Sequence, residues 1–186
     1  MSIRFQTAQT VEDLEGILYL QAENHISNLD DLNQGFVFAR HSVDSLAKMH
    51  GFAPHVIAKD GDIVAAYTLA MTEDTKFDIP ELIPMFDMLD QLEYDGKPLG
   101  DYRFLVVGQV CVGRDYRGMG IFDGCYQAYR EVHSANFEMA VTEISALNGR
   151  SLRAHERLGF REIARYEGED GQTWCIVVWD WRKGEG

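Results

Sequence analysis

Apolar positions along the chain change their period several times, and each change predicts an element. Ile3-Arg-Phe-Gln-Thr7 alternates like an edge strand. Thr10-Val-Glu-Asp13 reads as a capping box that opens a helix with Val11, Leu14, Ile17, Leu18 and Gln21 on one face. Residues 23–45 mix Asn, Asp, His and Gly with Phe36-Val-Phe38, and read as a loop leading to a short helix, Val43 to Met49. His55 to Lys59 and Asp62 to Met71 flank Asp60-Gly61, a hairpin signal that predicts two antiparallel strands. The pattern breaks over Thr72 to Tyr102, where Pro80, Pro84 and Pro98 bracket a short helix, Pro84 to Leu92. A connection that long suggests a lid, a pocket wall or a contact within a homodimer, with a plain surface insertion as the alternative.

Regular pattern resumes with the apolar run Phe104-Leu-Val-Val-Gly-Gln-Val-Cys-Val112. A Gly- and Arg-rich turn follows, then Ile121, Phe122, Cys125, Tyr126, Tyr129 and Val132 at helical spacing. Phe137 to Ile144 predicts a fifth strand and Arg150 to Leu158 a fourth helix, closed by Gly159 as C-cap. Phe160 to Tyr166 and Thr173 to Trp181 end the chain as a hairpin around Glu169-Asp-Gly171. Trp174, Trp179 and Trp181 alternate on that last strand and read as sheet packing. The predicted order is β-α-α-β-β-β-α-β-α-β-β, with no internal repeat, low-complexity tract or linker.

Composition narrows the function classes. The 186 residues suffice for one domain, 1–186, that buries about two thirds of its surface. A net charge of -13 argues against nucleic acid or an anionic membrane as partner and suits a cationic acceptor such as an amine. Cys111, Cys125 and Cys175 are odd in number and set in apolar runs, so buried thiols in a reducing cytoplasm are expected. No Cys/His cluster has zinc spacing, which leaves no metal site to expect. The N-terminus lacks a basic-then-apolar signal, and no apolar run nears the ~20 residues that cross a bilayer.

The turn after Val112 carries the chemistry. At a strand-loop-helix junction the first helical N–H groups lack internal partners, and glycines let an anion approach them. Gly113 and Gly118 have the outer spacing of a P-loop, but Met119-Gly120 stands where Lys-Ser/Thr should be. A dinucleotide fingerprint would need a third glycine where Asp123 stands. What remains is Arg117-Gly-Met-Gly120-Ile-Phe122, which resembles the Arg/Gln-x-x-Gly-x-Gly/Ala loop of the GNAT superfamily of acyl-CoA-dependent N-acyltransferases. Thr142-Glu-Ile-Ser-Ala-Leu-Asn148 through His155-Glu-Arg-Leu-Gly159-Phe160 resembles the same family's later strand and fourth helix, with its spacing. The likeness covers about residues 103 to 182 well, and the first half only by order of elements.

The resemblance implies an α/β (α+β) GNAT fold: a mixed, mostly antiparallel sheet of about seven strands flanked by about four helices, with residues 72–102 inserted between the third and fourth strands. It implies acetyl-CoA as co-substrate and direct transfer to a primary amine of a small molecule or peptide. The backbone from Arg117 through Gly118, Met119, Gly120 and Ile121 to Phe122 would hold the pyrophosphate, with Arg114 and Arg117 as charged contacts. Phe122 departs from the family's Gly/Ala, so its ring must turn into the core. Val110 and Val112 would pair with pantetheine, and the Cys111 or Val112 N–H would meet the oxyanion. Cys111 could otherwise carry the acyl group, although nothing near it in sequence would lower its pKa. Residues 23–50 and 72–102 fall where the family sets its acceptor.

The remaining roles follow from the same likeness. Glu143 stands at the family's basic Glu and would take a proton from an amine of pKa about 10. His155 replaces the Tyr that protonates the leaving thiolate; an imidazole can do the same, or can simply sit beside the coenzyme while water delivers the proton. Asn148 would contact pantetheine or fix the strand-to-helix turn. His25, His41, His50, His55 and His133 form no constellation and read as solvent or core residues. Phe122 and His155 together also motivate another reading, a non-catalytic acyl-CoA-binding or regulatory module.

Overall fold

Residues 2–29, 35–168 and 171–183 are described in the computed structural model. Residues 30–34 of the long first loop and residues 169 and 170 of the final turn lie outside them. Seven strands form one sheet: β1 (Ile3–Thr7), β2 (Val56–Asp60), β3 (Ile63–Met71), β4 (Phe104–Val112), β5 (Met139–Ser145), β6 (Arg161–Glu167) and β7 (Thr173–Asp180). Their order across the sheet is β1-β2-β3-β4-β5-β7-β6, and every neighbouring pair is antiparallel except β4 and β5.

Helices α1 (Val11–Asn24), α2 (Val43–Phe52), α4 (Ile121–His133) and α5 (Gly149–Leu158) cover the two faces, and α3 (Ile83–Leu89) lies in the long connection. Alternation along β3 sends Tyr67, Leu69 and Met71 to one face, where they pack with Leu14 and Ile17 of α1 and Leu46 and Met49 of α2. Ala70 faces the other way, into a cluster with Tyr126 and Tyr129 of α4. Burial on both faces explains why β3 reads as an unbroken apolar run. Among the described residues no helix is long and apolar enough to cross a membrane.

Local chemistry sets the helix ends. Thr10 Oγ1 accepts from Asp13 N at 3.3 Å, but the reciprocal half of the expected capping box goes elsewhere. The Asp13 carboxylate takes Gln9 N at 2.8 Å and Lys59 Nζ at 2.6 Å, tying α1 to β2. The full reciprocal box occurs instead at α2, between Ser42 and Ser45.

The connection from β3 to β4 departs most from the sequence reading. Helix α3 ends at Leu89, short of the expected Leu92, and the chain turns into a ribbon of Glu93–Tyr94 against Lys97–Pro98. Asp95 at φ 54° and Gly96 at φ 83° make its turn. Asp-Gly with both φ positive is the hairpin chemistry that the sequence reading used at Asp60-Gly61 and passed over here. The Tyr102 ring lies between Lys97 Nζ at 3.9 Å and the Arg182 guanidinium at 4.5 Å, pinning the ribbon to the end of the sheet.

Candidate active site

β4 and β5 pair only from Phe104–Val106 against Met139–Val141. Past that point they part, and the last tie is a side chain: Thr142 Oγ1 donates to the Val107 carbonyl at 2.9 Å. The parted strands leave the β5-facing edge of β4 without a strand partner from Gly108 onward. Two cavities open onto this split. One, of about 420 Å³, lies between the loop after β4 and the start of α5. The other, of about 260 Å³, lies between the split and the α3 segment. Val110, Asn148, Ser151, Phe36 and Val37 line both.

The open edge of β4 can be read amide by amide. Gly113 N donates to Ala65 O on β3 at 2.9 Å, and antiparallel pairing alternates. Cys111, opposite Tyr67, therefore turns its N–H to β3, whereas Val110 and Val112 turn theirs to the split. This removes the Cys111 amide from the two oxyanion candidates. Its thiol is inert as well, since burial pushes it up to about 12. The Val112 carbonyl, on the open edge, accepts from Arg117 Nε at 3.2 Å.

The loop ends in Gly118 and Gly120, at φ 77° and 73°, with open space where a Cβ would stand. Gly120 is the N-cap of α4 and offers no side-chain cap. Among the described residues, no acceptor takes the N–H groups of Gly118 to Asp123; the first helical bond runs from Gly124 N to Gly120 O. These donors border the larger cavity together with Ile121 and Phe122, while the exposed Met119 side chain does not line it. The Phe122 ring turns toward Tyr126 and His155, 5.1 and 5.2 Å between centroids, which keeps it from closing the cradle.

Charge around this cleft differs from the sequence expectation. Arg117 Nη2 is spent on Asn24 Oδ1 at 2.6 Å, so it braces the loop against α1. Arg114 is exposed on the far side of the loop and does not line the cleft; Arg150 of α5 does. Arg157 also borders it and grips Asp123 through two bonds of 2.5 and 2.7 Å, offsetting the one carboxylate among its described lining residues. On a chain of net charge -13, three arginines and one aspartate among the described lining residues make this cleft locally more basic than the surface around it.

Glu143 borders the smaller cavity, and Tyr166 of β6 donates its hydroxyl to Glu143 Oε2. The sequence reading missed Tyr166, because nothing in a strand-like run shows which cross-sheet partner a tyrosine finds. Trp174 also lines this cavity and meets the Phe38 ring edge-on at 5.5 Å, whereas Trp179 packs against Phe160 on the other face. The three tryptophans thus do not share one role.

His155 is 1% exposed, with both ring nitrogens engaged. Nδ1 lies 2.8 Å from the Ser151 carbonyl, which can only accept, so Nδ1 carries the hydrogen and Nε2 accepts from Tyr126 OH at 2.6 Å. Burial holds the imidazole near 4 and therefore neutral. The side chain joins α5 to α4 beneath the split.

Residues 36–39 form a strap across the split, held at four successive carbonyls. Phe36 O accepts from Asn148 Nδ2 at 3.1 Å and Val37 O from Ile26 N at 2.9 Å. Phe38 O accepts from His25 Nε2 at 2.8 Å and Ala39 O from Gln109 Nε2 at 2.9 Å. Gln109 Oε1 in turn accepts from Tyr67 OH at 2.7 Å and Gln21 Nε2 at 3.0 Å. Asn148 has a second task, capping α5 by accepting from Ser151 N. No sequence signal marks this strap, since its donors come from the turn after α1, from β4 and from the cap of α5.

No model of a known protein family matches the chain, and no curated protein matches it either. Solved structures do. The ribosomal-protein-S18-alanine N-acetyltransferase of Escherichia coli aligns over 96% of this chain and 94% of its own, with TM-score 0.63 and 14% identity. Arabidopsis thaliana NAA60 in complex with acetyl-CoA aligns over 96% and 99%, with TM-score 0.65 and 14% identity. The NatC complex bound to Gag peptide and CoA aligns over 97% and 99%, also at TM-score 0.65 and 14% identity. The fold of this chain is the GNAT fold.

Proposed function

We propose that the chain is a GNAT-superfamily N-acetyltransferase that moves an acetyl group from acetyl-CoA directly to a primary amine of a small molecule or peptide. The observation that carries this reading is the meeting of two cavities at the Val110 amide, with Glu143 in the lining of one and an uncapped helix start in the lining of the other. The neighbours crystallised with coenzyme A or acetyl-CoA support the same co-substrate. Residues of this chain fit it: the donors from Gly118 to Phe122 and the Arg150 rim suit a pyrophosphate, and Val110 and Val112 offer an open strand edge to an extended amide-bearing arm. Acetyl-CoA would supply the acetyl group as a thioester and depart as the thiol.

The protein's own part follows from the geometry. Glu143, oriented by Tyr166, accepts the proton that an ammonium must shed, directly or through water. The Val112 N–H, the expected donor that faces the split, or the Val110 N–H, which shares that edge and borders both cavities, donates to the oxygen on which negative charge develops. His155, neutral and bonded on both sides, acts as a positioning residue that holds Ser151 and Tyr126 in place, and water protonates the leaving thiolate. Three buried free thiols suit a reducing compartment, and we place the reaction in the cytoplasm.

The committed ring nitrogens of His155 also favour a second reading, a coenzyme-binding module without chemistry. One experiment separates the two: thiol release from acetyl-CoA with a panel of amines, beside calorimetry with coenzyme A. Turnover that collapses in Glu143→Gln supports the transferase. Tight binding with no transfer to any amine supports the module.

A further inference from the structure

The smaller cavity has a one-sided chemistry. Phe36, Phe38, Tyr166 and Trp174 supply aromatic walls, and Leu82 and Met85 from the connection after β3 add aliphatic ones. Among its described lining residues Glu143 is the only acid, and no Lys or Arg is present. The positions left undescribed contain no Lys or Arg in the sequence either. The other polar groups are already used: Gln109 bonds Tyr67, Gln21 and Ala39 O, and Thr142 bonds Val107 O. At about 260 Å³ the space falls just under the roughly 300–1,000 Å³ of ordinary ligand pockets, room for one side chain or ring beside an amine.

Resting on the transferase reading above, we infer that the acceptor is a primary amine carried on an apolar or aromatic group, with no carboxylate, phosphate or second amine beside it. One positive centre is welcome, because Glu143 attracts it and aromatic faces present negative quadrupole density to it. An anionic group would meet those same faces and Glu143 with no cation to receive it. A second ammonium would be desolvated among aromatics, with no second carboxylate among the described lining residues. An arylalkylamine and a peptide N-terminus with an apolar first residue share the accepted chemistry.

The test compares 2-phenylethylamine, phenylalaninamide, a phenylalanine-led tripeptide, free phenylalanine and spermidine as acceptors, reading kcat/KM from thiol release. The first three share the ring and amine, and the tripeptide arm separates a peptide source from a small amine. Free phenylalanine differs from its amide only by the charge beside the amine. The amide should exceed free phenylalanine and spermidine by about tenfold or more, the scale on which buried, unmatched polar groups discriminate. Phe38→Arg, which adds a cation to the wall, should narrow the gap between phenylalanine and its amide, with a retained coenzyme-induced rise in melting temperature reporting an intact fold. Turnover led by free phenylalanine or spermidine overturns this inference alone. Coenzyme binding with no amine turned over removes the transferase reading and the inference with it.

Discussion

The two cavities flanking the split are built in opposite ways. The larger draws most of its lining from two short stretches: Val110 to Asp123, which runs from a strand end to a helix start, and Asn148 to Arg157, the cap and body of α5. Among the described residues the smaller gathers Phe36 to Ala39, Leu82 to Met85, Val107 to Val110, Thr142 to Ser145, three residues of the Asn148 to His155 stretch, and Tyr166, Gly168 and Trp174, segments drawn from the whole length of the chain. One is made largely of backbone donors on a glycine turn, the other of side chains. A cradle for a constant ligand can be written locally, whereas a wall for a particular ligand depends on tertiary assembly. Variants in the first should therefore change coenzyme affinity, and variants in the second should change acceptor turnover.

The sharpest test of that division is Glu143→Gln, which keeps an acceptor for Tyr166 but removes the proposed base. It should lower kcat/KM at least about 100-fold while leaving calorimetric coenzyme affinity within a factor of two or three. Equal losses in both would merge the two regions into one site. Gly120→Val is the counterpart in the cradle. Its φ of 73° disfavours a branched side chain, and the new methyls would stand at the helix start. Coenzyme affinity should fall about tenfold or more by calorimetry, with the acceptor KM moving less.

Acid should act mainly on the buried histidines. Burial lowers His155 and His41 to about 4 and His55 to about 3, while the unfolded chain takes those protons near 6.5. Their contribution is complete above about pH 6.5 and fades as pH falls through that value, levelling off only where the folded imidazoles also charge, near pH 4. Melting temperature measured over that window should drop steadily, and His155→Phe should flatten part of the slope. If His155 positions helices as proposed, the same variant should retain more than about a tenth of wild-type kcat. A lost limb in its kcat pH profile would return the acid role to it. The mildest change is Asn148→Ser, which keeps a capping oxygen for Ser151 N but frees the Phe36 carbonyl. Losing one such bond is worth about 1 kcal/mol, so acceptor KM should rise about fivefold with α5 intact by circular dichroism.

What the sequence disclosed follows the same division. The sequential order of elements and the glycine loop were readable because backbone periodicity and glycine placement are local, whereas the turn of Phe122 into the core and the exposure of Val110 and Val112 to the cleft were expected only through the family resemblance. Arg114 was misjudged because spacing cannot say on which side of a loop a side chain stands; Arg150, thirty-six places on, faces the cleft instead. His155 matched the family spacing, yet its protonation depends on Tyr126 and Ser151, which fold around it from two helices. The strap at 36–39 was legible only as a loop, since its four donors come from three places far apart in the chain: His25 and Ile26, Gln109, and Asn148. The ribbon at Asp95-Gly96 is different, for its signal was present in plain view.

Along β4 the amides at positions 110 and 112 face the split while the one between them is locked to β3. In deuterated solvent those two should exchange their hydrogens rapidly and Cys111 slowly, a fast-slow-fast pattern within a strand whose other residues are mostly protected. A bound extended arm would slow the outer two and leave the middle one as it was, so isotope labelling alone could register coenzyme docking with no acceptor known.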